Sequence, residues 1–278
     1  MKKQQGAAAS TAVVILLLSV MPLLVNAEEK GGDDMRSAVQ NPISSLISLP
    51  LKLSVDSGAA NGDAFILNVN PVVPVTVGDW NLVNRALIPI ANVDGAIPGP
   101  NNPSPSGGAE GASGLGDINY ALYFSPVKYG KVIWGAGPSI NLPTAYNDQL
   151  GSGKWSAGLS AVALSTPSWG SLGILGRHLW SFAGDSDRSD VNQSLIEPFL
   201  NYNLPNGWFL ITDMVLTANW KADSNNTWTI PIGGGAGKIF KIGKQAINSK
   251  LEYYYNVEKP EGAPDYSVSF TFQFLFPK

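Results

Sequence analysis

The chain of 278 residues contains no cysteine, a single histidine and few charged residues. Without cysteine there are no disulfides, no thiolate metal sites and no cysteine nucleophiles. Charged residues make up 14% of the chain, well below the roughly 25% that is common in soluble domains. So low a share of charge favours a protein that leaves part of its outer surface apolar.

Long apolar runs are also missing after the first 27 residues. The run from Val13 to Leu24 is too short for a membrane helix, which needs about 20 residues. Lys2 and Lys3 precede it, and the small-residue pattern of a cleavage site follows, so residues 1–27 are predicted to be a cleaved signal peptide. Residues 28–45 are polar and aperiodic and are predicted to be a flexible periplasmic lead-in, followed by one domain over 46–278.

The balance of charge excludes one class of partner. The predicted leader holds two of the 18 basic residues and none of the 21 acidic ones, which leaves the mature chain with a net charge of −5. Nucleic-acid binding requires clustered positive charge, so no nucleic-acid partner is expected.

The last segment alternates between apolar and polar residues. From Tyr266 to Phe276 every second side chain is aromatic or branched apolar, and those between are polar except Leu275. Successive side chains of a strand point to opposite faces, so this strand has one apolar and one polar face. Behind a secretory leader, the pattern is typical of the closing strand of an outer-membrane β-barrel.

Twelve such segments follow one another along the chain. They lie near 46–56, 64–77, 80–90, 116–124, 131–141, 154–166, 170–182, 191–203, 208–220, 226–239, 246–256 and 265–276. Short and long connections alternate, and the longest runs from Ala91 to Leu115. The sequence therefore predicts an all-β, transmembrane antiparallel β-barrel of about 12 strands, with short periplasmic turns and long extracellular loops. Ten or fourteen strands stay open, as does a soluble periplasmic sandwich.

The eight tryptophans fall near the ends of the predicted strands. Four lie at the short turns and four at the long loops: Trp80, Trp134, Trp169 and Trp208, then Trp155, Trp180, Trp220 and Trp228. Aromatic rings prefer the membrane interface, so the two groups are predicted to be interface girdles in contact with outer-membrane lipid.

Charged residues occupy the alternate strand positions that belong to the polar face. A charge that faces lipid at mid-depth costs roughly 2–4 kcal/mol for Arg or Lys, so these side chains are expected in the lumen. The candidates for setting selectivity are Arg85, Arg177, Glu197, Asp213, Lys250 and Glu252. For any one of them, filling the lumen is the alternative to a solute contact.

Three motifs of other protein classes are incomplete. The segment Gly233–Lys238 lacks the spacing and the Ser or Thr of a phosphate-binding loop. The segment Asp185–Asp190 has carboxylates but not the Gly and distant Glu of an EF-hand, so a weak cation site is only an alternative to a solvated loop. His178 is predicted to point outward in a girdle; Ser181 leaves the opposite face, so a Ser–His hydrolase site is not evident. No enzyme activity, cofactor or metal is expected.

Several short motifs point to a family. They are Gly114-Leu115-Gly116-Asp117, Gly153–Gly158, Trp180–Gly184, Pro198–Pro205 and Pro231–Gly235. With them the chain resembles the bacterial outer-membrane barrel family of the meta-pathway phenol-degradation type, some members of which carry the label neuromedin U. The resemblance implies a transporter or channel, in some members for aromatic compounds, and brings no established binding residues.

Together the sequence predicts an outer-membrane channel of a Gram-negative bacterium for the passive passage of small molecules. Eight-stranded barrels are filled by side chains and barrels of sixteen or more strands hold an open channel, so a twelve-stranded pore should be narrow. Insertion by the barrel-assembly machinery is expected. A non-conducting structural or adhesive barrel and an outer-membrane lipid hydrolase are the alternatives.

Overall fold

A computed structural model of the chain describes residues 32–100, 102–105, 108 and 110–276. The predicted signal peptide and the first four residues of the predicted lead-in lie outside the described residues. No helix in the described part of the chain is long and apolar enough to cross a membrane.

Twelve antiparallel strands form a single closed sheet, which confirms the predicted fold. Three of them are interrupted by two residues each, at Asn70-Pro71, Gly116-Asp117 and Met214-Val215. The strands are β1 (Ile47–Ala59), β2 (Gly62–Val69 and Val72–Val77), β3 (Trp80–Val93), β4 (Ala112–Leu115 and Ile118–Pro126), β5 (Ile133–Leu142), β6 (Lys154–Ser165), β7 (Gly170–Gly184), β8 (Asn192–Asn203), β9 (Trp208–Asp213 and Leu216–Asn219), β10 (Trp228–Ile242), β11 (Gln245–Glu258) and β12 (Tyr266–Phe276).

The ring closes between the first and the last strand. β1 pairs with β12 without a break, from Ile47 opposite Phe276 to Ser57 opposite Tyr266. Each of the other strands pairs with its neighbours in sequence. A closed ring has no free strand edge, so nearly all backbone groups of the wall find partners within the sheet.

The wall is apolar outside and of mixed character inside. Large apolar side chains are exposed on the outer face of nearly every strand. The inner face buries many serine, asparagine, glutamine and threonine side chains, together with an apolar cluster that includes Val83, Tyr123 and Leu175. Outer examples are Val75, Ile90, Phe124, Leu159, Ile174, Leu210 and Ile232; polar inner ones are Asn119, Ser139, Ser160, Ser171, Gln193, Asn201, Thr217 and Asn248. So many exposed large apolar side chains and buried polar ones are unusual for a water-soluble protein.

The hairpin of β2 and β3 shows how the alternation sets the register. Across the Gly78-Asp79 turn, Val73 lies opposite Asn84 and Val75 lies opposite Leu82, as the alternation predicts. Asn84 is a polar residue on the outer face, and its amide is satisfied there. It accepts a hydrogen bond from Tyr120 Oη at 2.6 Å and donates to the carbonyl of Val73 at 3.0 Å.

The glycine-rich segment of β10 is part of the wall and does not have the geometry of a phosphate-binding loop. A side chain at Gly233 would meet the carbonyl oxygen of Tyr253 at 2.0 Å, and one at Gly235 would meet that of Leu251 at 1.9 Å. The glycines therefore let β11 approach closely.

The segment before β1 differs from the predicted flexible lead-in. Within residues 32–45 the chain forms a helix, α1 (Gly32–Val39), and then a turn in which Ser44 N–H donates to the carbonyl of Asn41 at 3.2 Å. Ile43 is 2% exposed and belongs to a core cluster with Val83 and Tyr123. Val39 packs against Phe209. These two apolar side chains are too few to produce a periodic pattern, so the sequence analysis missed their docking.

Candidate functional site in the barrel lumen

The lumen contains two cavities that meet at a ring of charge. The larger, of about 420 Å³, lies towards the long loops, and the smaller, of about 160 Å³, lies beside residues 38–46 near the short turns. Both are lined by Arg85, Glu197, Asp213 and Lys250. We call these four residues the charged ring.

Five of the six predicted lumen residues line the larger cavity: Arg85, Arg177, Glu197, Asp213 and Lys250. Glu252 lies next to the ring with a fully buried side chain. Lys52 and Asp56 also line this cavity, and the sequence analysis missed both. The position of Lys52 could have been predicted from the alternation of Leu51, Lys52 and Leu53 in β1, which places the lysine on the polar face.

One lysine holds two of the carboxylates. Lys250 Nζ lies 2.8 Å from Asp213 Oδ2 and 3.2 Å from Glu252 Oε2. The side chains of Lys250 and Asp213 are 14% and 15% exposed, so the cluster is shielded from bulk water. The low local dielectric strengthens such contacts but also makes an unpaired member costly.

Tyr254 completes this network where β9 is interrupted. Its hydroxyl donates to Glu252 Oε1 at 2.9 Å and accepts a hydrogen bond from the backbone N–H of Asp213 at 2.8 Å. Asp213 is the last residue before the interruption, and the phenol from β11 supplies the partner for its N–H. The carboxylate of Asp213 is thereby fixed towards Lys250.

Residues 32–45, which we call the α1 segment, close the short-turn end of the lumen. Arg36 Nη1 donates to the carbonyl of Leu204 at 3.1 Å, and Gln40 Nε2 donates to Asn203 Oδ1 at 2.9 Å. Both acceptors lie at the turn between β8 and β9. Two polar contacts and the buried Ile43 hold the segment across the mouth, a small interface compared with the ladders of the wall.

The long connection between β3 and β4 narrows the opposite mouth. Pro98, Gly99 and Pro100 line the larger cavity. The carbonyl of Pro100 accepts a hydrogen bond from Gln193 Nε2 on β8 at 3.1 Å, which spans the lumen. Asn102 Nδ2 donates to the carbonyl of Gln149 at 3.2 Å. The described part of this connection therefore folds inward over the larger cavity.

Asp117 anchors a second long loop. This residue of the Gly-Leu-Gly-Asp motif is 1% exposed. Its Oδ2 accepts hydrogen bonds from the N–H and the hydroxyl of Ser152 at 2.7 and 2.8 Å, and its Oδ1 accepts one from Ala145 N–H at 3.2 Å. A buried carboxylate is stable when several donors satisfy it. The motif thus has a structural role in holding residues 143–153.

The acidic segment Asp185–Asp190 is a loop tied by ion pairs. Arg188 is buried, and its Nη2 donates to the carbonyl of Gly151 at 2.6 Å. Lys154, 3.5 Å from Asp190, lowers the pKa of Asp190 below its usual value, with a further contribution from Lys221. Among the described residues no group of three His, Cys, Asp or Glu side chains is placed to hold a metal ion, so the alternative of a cation site gains no support.

The tryptophans lie at the two rims. Seven of the eight are exposed, by 37% to 51%. Trp80 and Trp134 pack edge to face at the short-turn rim with ring centroids 6.1 Å apart, and Trp220 and Trp228 do the same at the long-loop rim at 5.6 Å. Their contact with lipid stays a prediction.

His178 lies in the long-loop girdle and contacts a serine of the next strand. His178 Nδ1 and Ser194 Oγ are 2.7 Å apart, and Trp220 Nε1 donates to the same oxygen at 2.9 Å. The ring of His178 packs against Trp180. A Ser–His hydrolase needs a third group that orients the base, whereas Nε2 of this histidine has no hydrogen-bond partner among the described residues.

Comparisons with known proteins define the class of fold. No protein-family model and no curated protein sequence matches the chain. The structure is similar to the COG4313 outer membrane channel from Pseudomonas putida F1, with 18% identity over 90% of this chain and 100% of that one and a TM-score of 0.61. Weaker similarities link it to CdiB from Acinetobacter baumannii (8% identity, 83% and 60% of the two chains, TM-score 0.41) and to LpxR from Salmonella typhimurium (10%, 82% and 100%, TM-score 0.40).

The chain is thus a closed, twelve-stranded antiparallel β-barrel that shares its fold with a solved outer membrane channel. The resemblance to the phenol-degradation family stays a prediction, because it rests on short motifs alone.

Proposed function

We propose that the protein is an outer-membrane channel for the passive passage of small molecules. The observation that carries the proposal is the wall, with large apolar side chains exposed on the outside and with charged and polar side chains, beside apolar ones, around two cavities inside. Such a wall suits a hydrocarbon exterior and an aqueous lumen. The similarity to the COG4313 channel is in line with it.

The proposal places the short turns in the periplasm and the long loops outside the cell, as in bacterial barrels generally. The exposed aromatic rims then meet outer-membrane lipid, and the barrel-assembly machinery inserts the chain. The smaller cavity, beside the charged ring and residues 38–46, then restricts the path, so the pore passes small solutes and excludes large ones.

Liposome swelling tests this function. Proteoliposomes with the refolded mature chain should swell in isosmotic arabinose faster than empty liposomes, and more slowly in a disaccharide, because the lumen is narrow. Liposomes that carry heat-denatured protein serve as the control for leakage. If the folded barrel causes no swelling in any small solute, the channel is contradicted and a structural or adhesive barrel takes its place.

The hydrolase alternative has one observation in its favour, the contact between His178 and Ser194 at the outer rim. The same serine oxygen also accepts a hydrogen bond from Trp220. Accepting that bond lowers the electron density available for nucleophilic attack. With no orienting group on the histidine, the cluster fits a fixed polar element of the girdle better than a catalytic site.

A further inference from the structure

The lumen contains three cations that lack direct partners. Lys52, Arg85 and Arg177 line the larger cavity, and within the described chain none of the three has a hydrogen bond or an ion pair to its side-chain nitrogens. The other cation of this wall, Lys250, is fully engaged by Asp213 and Glu252. Partly buried cations without partners are unusual in folded proteins, because desolvation is then uncompensated.

The acids of the cavity do not neutralise these three groups. Glu197 lines the same cavity and attracts Lys52, Arg85 and Arg177, but within the described chain it forms no ion pair with any of them. Asp56 lies further along β1, within the field of Lys52. Outside the cluster of Lys250, Asp213 and Glu252, three cations and two acids line the cavity, an excess of one positive charge in a chain whose net charge is −3.

The two arginines reach the same cavity from different strands. Arg85 is on β3 and Arg177 on β7, and both line the larger cavity. Like charges that share a partly buried cavity repel each other. A guanidinium presents a planar, forked set of N–H donors that matches a carboxylate. An anion that both guanidinium groups contact would offset the repulsion and give each of them a partner.

An apolar residue lies opposite each of the two arginines on the neighbouring strand. The strand register places Ala121 opposite Arg85 and Leu195 opposite Arg177. Tyr123 and Leu175 line the same cavity. An occupant that is charged at one end and apolar along its body would therefore match this wall, whereas an inorganic anion would leave the apolar part without a contact. The volume of about 420 Å³ lies in the range of small-molecule sites, roughly 300–1,000 Å³.

We propose that Arg85, Arg177 and Lys52 form a binding site for a small organic carboxylate with an apolar body in the larger cavity, beside the charged ring. This inference rests on the proposed channel function and names the class of solute that the channel takes up. The carboxylate lies between the guanidinium groups, and the apolar body lies along Tyr123, Leu175 and Leu195.

Isothermal titration of the refolded barrel in detergent tests the site with three probes: benzoate, benzyl alcohol and acetate. Benzoate should bind at least about tenfold more tightly than either of the others, because charge-assisted hydrogen bonds and apolar burial each contribute that much. Equal binding of benzyl alcohol would overturn the role of the cations. Equal binding of acetate would overturn the role of the apolar wall.

Substitutions locate the binding. Arg85→Gln and Arg177→Gln should each weaken benzoate binding by about tenfold or more. Arg177→Lys should retain part of the affinity for benzoate, since the positive charge remains but the planar set of guanidinium donors is lost. Lys244→Gln, which removes a cation from the exposed turn between β10 and β11, is the matched control and should bind as the wild type does. A shift in gel migration on heating confirms that each variant is folded.

The two proposals fail in different ways. Solute flux through a barrel whose benzoate affinity is the same in wild type and both Gln variants overturns the carboxylate site and leaves the channel in place. Benzoate binding that depends on both arginines, in a barrel that passes no solute, supports the site and contradicts the channel.

Discussion

Ile43→Asp is expected to open the channel. Ile43 holds the α1 segment inside the barrel and is 2% exposed, among apolar side chains of the wall. An unpaired carboxylate at this position costs about 3 kcal/mol or more, which raises the population of the released segment by a factor of about 100. In planar bilayers the variant should therefore show openings that are far more frequent or larger than those of the wild type.

The matched control for this experiment is Ser37→Asp, which adds the same charge to the exposed side of α1. Its conductance should stay close to that of the wild type, because no buried contact is lost. Deletion of residues 28–45 should reproduce the effect of Ile43→Asp. If both the substitution and the deletion conduct as the wild type does, the segment is not the barrier of the pore.

Lys250→Met is expected to cause the largest loss of stability of any single substitution in the lumen. The change removes the cation between Asp213 and Glu252 and leaves two shielded carboxylates side by side. Breaking a buried ion pair in this way costs about 3–5 kcal/mol. Met keeps an unbranched chain of similar length, so loss of packing contributes little. The measurement is the free energy of unfolding in urea, with the barrel refolded into lipid vesicles.

A second substitution separates charge from packing. In Lys250→Met/Glu252→Gln one of the two like charges is gone, so the double variant should recover part of the lost free energy. Lys244→Met, in an exposed turn, should change the free energy by no more than about 0.5 kcal/mol. A double variant as unstable as the single one would show that the effect does not come from the carboxylates.

The alternation of side chains was enough to predict the wall. Because successive side chains of a strand point to opposite faces, the alternation within each segment identifies the residues that face the lumen. The short turns then fix the register of neighbouring strands. Arg85 and Lys250 could be assigned to the lumen from parity alone. The same rule places Lys52 there, although its single charge between two leucines did not stand out.

Contacts between distant segments could not be predicted in the same way. The partner of His178 is Ser194, which lies directly opposite it on the neighbouring strand; Ser181, closer in sequence, belongs to the other face. The docking of residues 32–45 depends on the shape of a lumen formed by all twelve strands. A sequence without an apolar period gives no sign of such docking when it depends on only two apolar side chains, Val39 and Ile43, and on the polar side chains of Arg36 and Gln40.

The tryptophans at the two rims report whether the outer face of the barrel meets hydrocarbon. The barrel is refolded into vesicles of brominated lipids, and tryptophan fluorescence is measured with bromine at different depths along the acyl chain. Quenching should be strong when the bromine lies near the headgroups and weaker when it lies at the bilayer centre, since the rings lie at the rims. A folded chain that stays in solution without detergent and shows no quenching at any depth would rule out an outer face in contact with lipid.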